Sequence, residues 1–291
     1  MTRNTLKTWV FMAALGGFLV LVGNVIGRAF FGSATGGMGL FLFIAVVMNF
    51  VSYWWSDKIV LKMTRSRPVT EQEAPWLYRI VRELTQKSLM PMPRLYLMPA
   101  PQPNAFATGR DPEHAVVAVT EGILAVLNEE ELAGVLAHEL SHVRNRDILI
   151  GAVAATAAAA ITMLARIAMW STIFGGGGRD DRRGGGLGEL LSFIMAPIAA
   201  FMIQMAVSRS REAQADASGA HLLGDATPLA RALIKIDAAS KTTPPLAVNP
   251  AVSHIFLQSP LPRGPGITKL FMSHPPLNER LEQLRKLGAR V

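Results

Sequence analysis

The sequence has no cysteine among its 291 residues, which removes disulfides, a thiol nucleophile and thiolate metal sites from consideration. Charge is also scarce: Asp, Glu, Lys and Arg make up 17% of the chain against 50% hydrophobic residues, and mean hydropathy is positive at +0.29. That balance is too apolar for an ordinary soluble domain. Histidine occurs at six positions only, His114, His138, His142, His221, His254 and His274. Any metal must therefore be held by imidazole and carboxylate. No third histidine stands near the 138/142 pair in sequence, so a carboxylate is expected to complete the set. The formal charge of +8 would suit nucleic acid in a polar chain. Beside long apolar runs it is better explained by Lys and Arg flanking membrane segments, and no nucleic-acid partner is expected.

Apolar runs organise what is present. The first, Trp9 to Ile26, follows Arg3 and Lys7 and is long enough to span a bilayer. A cleaved signal peptide would fit its position, but no A-x-A site follows and a second run begins almost at once. That second run, Met38 to Trp55, ends in Tyr53, Trp54 and Trp55 and is followed by Lys58, Lys62, Arg65 and Arg67. Joined by the glycine-rich link Gly32 to Gly37, the pair predicts a helical hairpin with both basic ends in the cytoplasm. A second hairpin is expected from Ile148–Phe174 and Leu190–Val207, connected by the loop Gly175–Gly188. Arg166 is costly inside a bilayer, so a buried or shallow hairpin is the alternative there.

Between and after these runs the chain reads as α+β and mostly helical. Thr70 and Glu73 form a capping box ahead of an amphipathic helix from Trp76 to Leu89. Strands are expected at Arg94–Met98, Asn104–Gly109 and Ala115–Val119, giving a small mixed sheet packed on helices. The division that follows is a membrane hairpin over 1–57, a first catalytic part over 58–147, a second hairpin over 148–207 and a C-terminal catalytic part over 208–291.

The chemistry points to the helix after Asn128. Asn128 and Glu131 make a capping box, and Glu129 and Glu130 sit on the positive end of the helix dipole. Leu132, Val135, Leu136, Leu140 and Val143 recur at helical spacing. His138 and His142, four residues apart, leave one side of this helix a turn apart, so both imidazoles can reach a single ion. Glu139 is rotated by about 100° and lies beside the ion, placed to take a proton from water there.

After the second apolar pair comes Arg211-Glu212-Ala213-Gln214-Ala215-Asp216. Glu212 and Asp216 share one helix face. Glu212 is the candidate third ligand, and Asp216 is the candidate acceptor that orients His138 or His142. A solvated face pairing Glu212 with Arg209 or Arg211 is the plainer reading of those residues taken alone. The chain then continues helical, with a proline-rich interruption from Thr243 to Pro265 and a final amphipathic helix after Ser273-His274-Pro275-Pro276. His274 is a candidate for the cleft, where it and Arg211 would steady an oxyanion; a surface histidine at a helix start fits His274 equally well.

With these motifs in hand, the chain resembles the HtpX family of bacterial membrane zinc metalloproteases, relatives of the CAAX prenyl endopeptidases. The resemblance rests on Asn104-Ala105-Phe106-Ala107-Thr108-Gly109, on His138-Glu139-x-x-His142, on Glu212-x-x-x-Asp216 and on Ser273-His274-Pro275-Pro276. It implies a gluzincin-like cytoplasmic core, one Zn²⁺ per chain on His138, His142 and Glu212, and catalysis by Glu139. It also implies that Asn104, Ala105, Phe106, Ala107 and Thr108 form an edge strand for an extended substrate. The implied setting is the inner membrane, with both termini in the cytoplasm. The implied role is hydrolysis of misfolded or damaged membrane proteins under stress, beside proteases such as FtsH. An intramembrane protease is disfavoured by the charged residues Glu129 to Glu131 and Arg144 to Asp147 on the motif helix. A prenyl-protein endopeptidase would carry the same zinc motifs, and so would a non-catalytic, membrane-anchored scaffold stabilised by zinc.

Overall fold

The computed structural model describes residues 33–151, 209–246 and 275–291 throughout, parts of 6–24, and residues 153, 248 and 255–257. Helix α1, Ala34–Met63, opens at Ser33, whose hydroxyl oxygen accepts the Gly36 amide at 3.1 Å. The cap makes a first helical turn out of glycines expected to be a link. Among the described residues, α1 is the one helix long and apolar enough to cross a membrane, with a window of mean hydropathy 2.0. Leu42, Phe43, Val46 and Phe50 lie exposed along it.

The helix does not stop at its aromatic belt. Thirty residues make about 45 Å, against a hydrocarbon core of about 30 Å, and the surplus runs into the folded domain. Past Trp54 and Trp55, Asp57 pairs with Arg94 at 2.6 Å and Val60 is fully buried. Three contacts link α1 to the first apolar run. Trp9 stacks on Tyr53 at 5.9 Å, Asn49 donates to the Met12 carbonyl at 3.2 Å, and Asn24 donates to the Met38 sulfur at 3.1 Å. As one partner's number rises the other's falls, so the described parts of the two runs are antiparallel. The expected second hairpin lies outside the described residues apart from its first few positions.

Four strands follow: β1 (Arg67–Pro68), β2 (Arg94–Met98), β3 (Ala105–Thr108) and β4 (Val116–Thr120). They are ordered β1-β2-β4-β3, with β2 and β4 parallel and the other pairs antiparallel. β1 is too short for any periodicity to announce it. Both faces of the sheet are covered, which is why β4 is buried at every position and apolar from Val116 to Val119 rather than alternating. On one face Leu95, Ala105, Ala107, Val117 and Val119 join the main core with the helices. On the other, Met98, Phe106 and Ala118 pack on Val60, the end of α1, and on Leu246 and Phe256.

Helix α2, Pro75–Ser88, follows the capping box and keeps within one residue of the expected bounds at each end. Glu73 does accept the Thr70 amide at 2.9 Å, but Pro75 drives Ala74 to φ −140°, ψ 66°, and the helix cannot extend back through it. Thr120 caps the short α3, Glu121–Val126, accepting from Ile123. Helix α4, Glu129–Arg144, is the centre of the domain, flanked by the sheet, by α2, and by α5 (Arg209–Leu223) and α6 (Thr227–Ser240). The approach is backbone-close at two glycines. A Cβ on Gly134 would stand 2.6 Å from the Leu229 nitrogen, and one on Gly219 3.0 Å from the His138 nitrogen. Helix α7, Leu277–Lys286, closes the domain against α5 and α6.

Candidate metal centre

The capping box on α4 is formed as expected. Asn128 Oδ1 accepts the Glu131 amide at 2.8 Å, and Glu131 Oε2 accepts the Asn128 amide at 3.0 Å. Leu132, Val135, Leu136, Leu140 and Val143 are all buried, each worth roughly 1.5–3 kcal/mol. Burial goes further than an amphipathic stripe predicts: Ala137, His138, Glu139 and Ser141 are also inside. The helix is enclosed because α5 and α6 cover the sides that a two-sided reading leaves to solvent.

His138 and His142 emerge together, their rings 84° apart in plane and their Nε2 atoms 3.3 Å apart. Helix α5 delivers Glu212 to the same point. Its Oε1 lies 3.4 Å from His142 Nε2, and its Oε2 lies 3.8 Å from His138 Nε2. A tetrahedral zinc with bonds of about 2.0–2.1 Å would set its ligand atoms roughly 3.3–3.4 Å apart. Two imidazoles and a carboxylate with spacings of 3.3, 3.4 and 3.8 Å therefore fit such an ion. Cysteine is absent, and three protein donors leave one position for a non-protein ligand. Glu139 is buried next to this group, close enough for its charge to act on His142 and Arg280.

Each histidine has its own carboxylate. His138 Nδ1–H donates to Asp216 Oδ1 at 2.8 Å, which fixes Nε2 as the free nitrogen. Asp216 is in turn gripped by Arg280, whose Nη2 and Nε lie 2.6 and 3.0 Å from its two oxygens. Burial opposes the charge on Asp216, yet the Arg280 guanidinium and His138 hold its carboxyl well below the usual carboxylate range. His142 Nδ1 faces Asp147 Oδ2 at 3.2 Å. Burial would lower the His142 pKa, but bonds to Asp147 and Glu212 and the charges of Glu212 and Glu139 push it up to about 10. The carboxylates of Asp147, Glu212 and Glu139 thus favour positive charge at His142, a proton or a metal ion.

Of the residues picked from sequence, the fold brings His138, His142, Glu139, Glu212 and Asp216 together. Arg211 turns to Asp147, Nε to Oδ1 3.9 Å. His274 lies outside the described residues. β3 is an edge of the sheet, and all of Asn104 to Thr108 is buried. Thr120 donates to the Asn104 carbonyl, so residues 104, 106 and 108 face β4 and the main-chain groups of 105 and 107 face outward. The outward carbonyl of Ala105 accepts the Leu257 amide at 2.9 Å, while Phe256 sets its ring edge-on to Phe106 at 5.1 Å.

Two site residues escaped the sequence reading, Arg280 and Asp147. The first left a signal: Arg280 sits on the stripe formed by Leu277, Leu281 and Leu284, a charged side chain where burial is expected. Asp147 left none, because its reach depends on how the chain turns after α4.

Known proteins match this chain over nearly its whole length. The profile of peptidase family M48 covers residues 71–288. A "Protease HtpX homolog" of Pelotomaculum thermopropionicum is 52% identical over 98% of this chain and 99% of its own. One from Persephonella marina is 48% identical over 99% of each chain, and one from Thermococcus kodakarensis is 50% identical over 97% of this chain and 96% of its own. Among solved structures, S. mikatae Ste24p shares the fold at a TM-score of 0.50 and 21% identity. That match covers 97% of this chain and 65% of the Ste24p chain.

Proposed function

The chain belongs to peptidase family M48, among the HtpX-type proteases, and is a membrane-bound metalloprotease; from that premise we propose how its residues cleave a polypeptide, and which polypeptides they cleave. His138, His142 and Glu212 hold one zinc ion. When bound there, zinc supplies Lewis acidity, polarising the scissile carbonyl and lowering the pKa of water towards about 7. Glu139 takes the proton from the attacking water and returns it to the leaving amine. Its burial keeps that proton out of bulk solvent. Asp216 holds the Nδ1 side of the His138 ring, so that its Nε2 stays aimed at His142 and Glu212. His274, outside the described residues, remains the candidate for steadying the oxyanion. The observation that carries the reading is the 3.3, 3.4 and 3.8 Å spacing of the three donors.

Substrate is held by β3. An extended peptide adds to its outer edge through main-chain bonds, which gives loose sequence preference and suits unfolded chains. Leu257 already holds the Ala105 carbonyl, so the peptide pairs from Ala107 onward. The end of α1 packs directly under β3 and β4, which places this edge just beyond the Trp54–Trp55 belt. As the HtpX resemblance implies, we assign the protein misfolded or damaged membrane proteins met at the cytoplasmic face of the inner membrane as substrates, in stress-linked quality control beside proteases such as FtsH. We assign residues 1–57 and 148–207 to the membrane-facing parts and 58–147 with 208–291 to the catalytic domain; of the second membrane-facing part only the first few positions lie among the described residues. The test is cleavage of an unfolded membrane protein by the full chain in detergent. A chelator should stop it and added zinc restore it; chelator-insensitive cleavage would overturn the reading.

A further inference from the structure

We propose that Asp147 is a positioning residue for His142, and that through Arg211 it locks the metal ligands to the two points where the chain leaves and re-enters the catalytic domain. Helix α4 ends at Arg144, with Asn145 as its C-cap. On a continued helix, residue 147 would lie about 140° around and about 7.5 Å along the axis from His142, out of reach of the ring. The chain instead turns at Arg146, which takes φ +59°, a left-handed conformation that non-glycine residues avoid. That turn folds Asp147 back, with Oδ2 3.2 Å from His142 Nδ1 and Oδ1 3.9 Å from Arg211 Nε. A strained residue kept immediately beside a cluster of functional side chains is the usual mark of geometry held for a purpose.

The arrangement repeats that of the other ligand: His138–Asp216–Arg280 on one side, His142–Asp147–Arg211 on the other. The first trio is sealed, with His138, Asp216 and Arg280 at 1, 1 and 4% side-chain exposure; the second is more open, with His142, Asp147 and Arg211 at 15, 9 and 11%. Asp147 comes just before the apolar run that starts at Ile148, and Arg211 comes after the last such run and directly precedes Glu212. One ion pair thus joins the base of the inserted stretch, with a metal ligand attached to each partner: His142 by hydrogen bond, Glu212 by sequence. A shift of either end moves a ligand.

The inference rests on His142 being a metal ligand, and the experiment separates the two claims. Full-length protein in detergent is stripped of metal and titrated with Zn²⁺ against a chromophoric chelator, and the visible spectrum is recorded with Co²⁺ in its place. Asp147→Ala should weaken zinc binding about 10- to 100-fold and shift the cobalt bands, with the melting temperature of the metal-free protein unchanged. Asp147→Asn, whose amide oxygen still accepts the Nδ1–H, should weaken it only a few-fold. Arg211→Met should weaken binding less than Asp147→Ala and add nothing on top of it. Wild-type affinity and cobalt spectrum in Asp147→Ala would overturn the proposal. If Asp147→Ala does not fold, wild-type affinity in Asp147→Asn does so. Full zinc retention by His142→Ala would instead overturn the ligand set itself, whatever Asp147 does.

Discussion

Replacing Arg280 by methionine should be among the most damaging single changes in this protein that leave every metal donor in place. The Arg280 and Asp216 side chains are 4% and 1% exposed and joined by two bonds of 2.6 and 3.0 Å. Arg280→Met keeps the apolar stem but leaves Asp216 as a buried charge without its cation, a loss worth about 3–5 kcal/mol. For a protein of this size, at roughly 2–4 °C per kcal/mol, the melting temperature should drop by about 6–20 °C. Adding Asp216→Asn removes the orphaned charge, while the amide oxygen still accepts the His138 Nδ1–H, so the double variant should recover most of the loss. The pH dependence carries the same signature. The Asp216 carboxyl is held below its unfolded value, so its contribution is present above about pH 4 and is lost as pH falls further. The assay is thermal melting in detergent at one fixed heating rate, from pH 7 to pH 3, for wild type, both single variants and the double variant. A melting temperature for Arg280→Met within about 2 °C of wild type, or a double variant no better than that single, would refute the reasoning.

Gly219→Ala should cost about 1–3 kcal/mol, because the new methyl meets the backbone of α4 at His138, which has no flexible end to yield. Turnover should fall with it, since α5 also carries Glu212; an unchanged melting temperature and rate would contradict the close approach. Zinc uptake by metal-free protein at pH 7 should release at least one proton, because His142, at about 10, is protonated there and must lose its proton to ligate. Calorimetry in buffers of different ionisation enthalpy measures this. Binding heats independent of buffer would contradict it.

The cluster of His138, His142, Glu139, Glu212 and Asp216 was largely legible because its parts are local. Two histidines four apart, a glutamate between them and a capping box whose ends are three residues apart are all set by one helix, and Glu212 with Asp216 by another. Strands β2 and β4 announced themselves for the same reason, as short apolar runs bounded by turn residues. Features that depend on tertiary placement stayed hidden. Arg280 meets Asp216 across 64 positions, and nothing near either residue encodes the meeting beyond a charge on an apolar stripe. Asp147 reaches His142 only through the backbone turn at Arg146, a conformation that propensity argues against. The length of α1 was underestimated because hydropathy ends at the aromatic belt while the helix continues on contacts with the sheet. β3 was recognisable as a strand, but its place at the edge follows from the crossover order of the sheet, and its neighbour at Leu257 comes from 152 positions away.

The most direct test of the account compares Glu139→Gln and His142→Ala with wild type, measuring metal per chain on the purified protein and cleavage of an unfolded membrane protein side by side. Glu139→Gln should keep one zinc per chain and lose cleavage, and His142→Ala should lose both. Equal loss of metal in the two variants, or cleavage by Glu139→Gln at the wild-type rate, would contradict it.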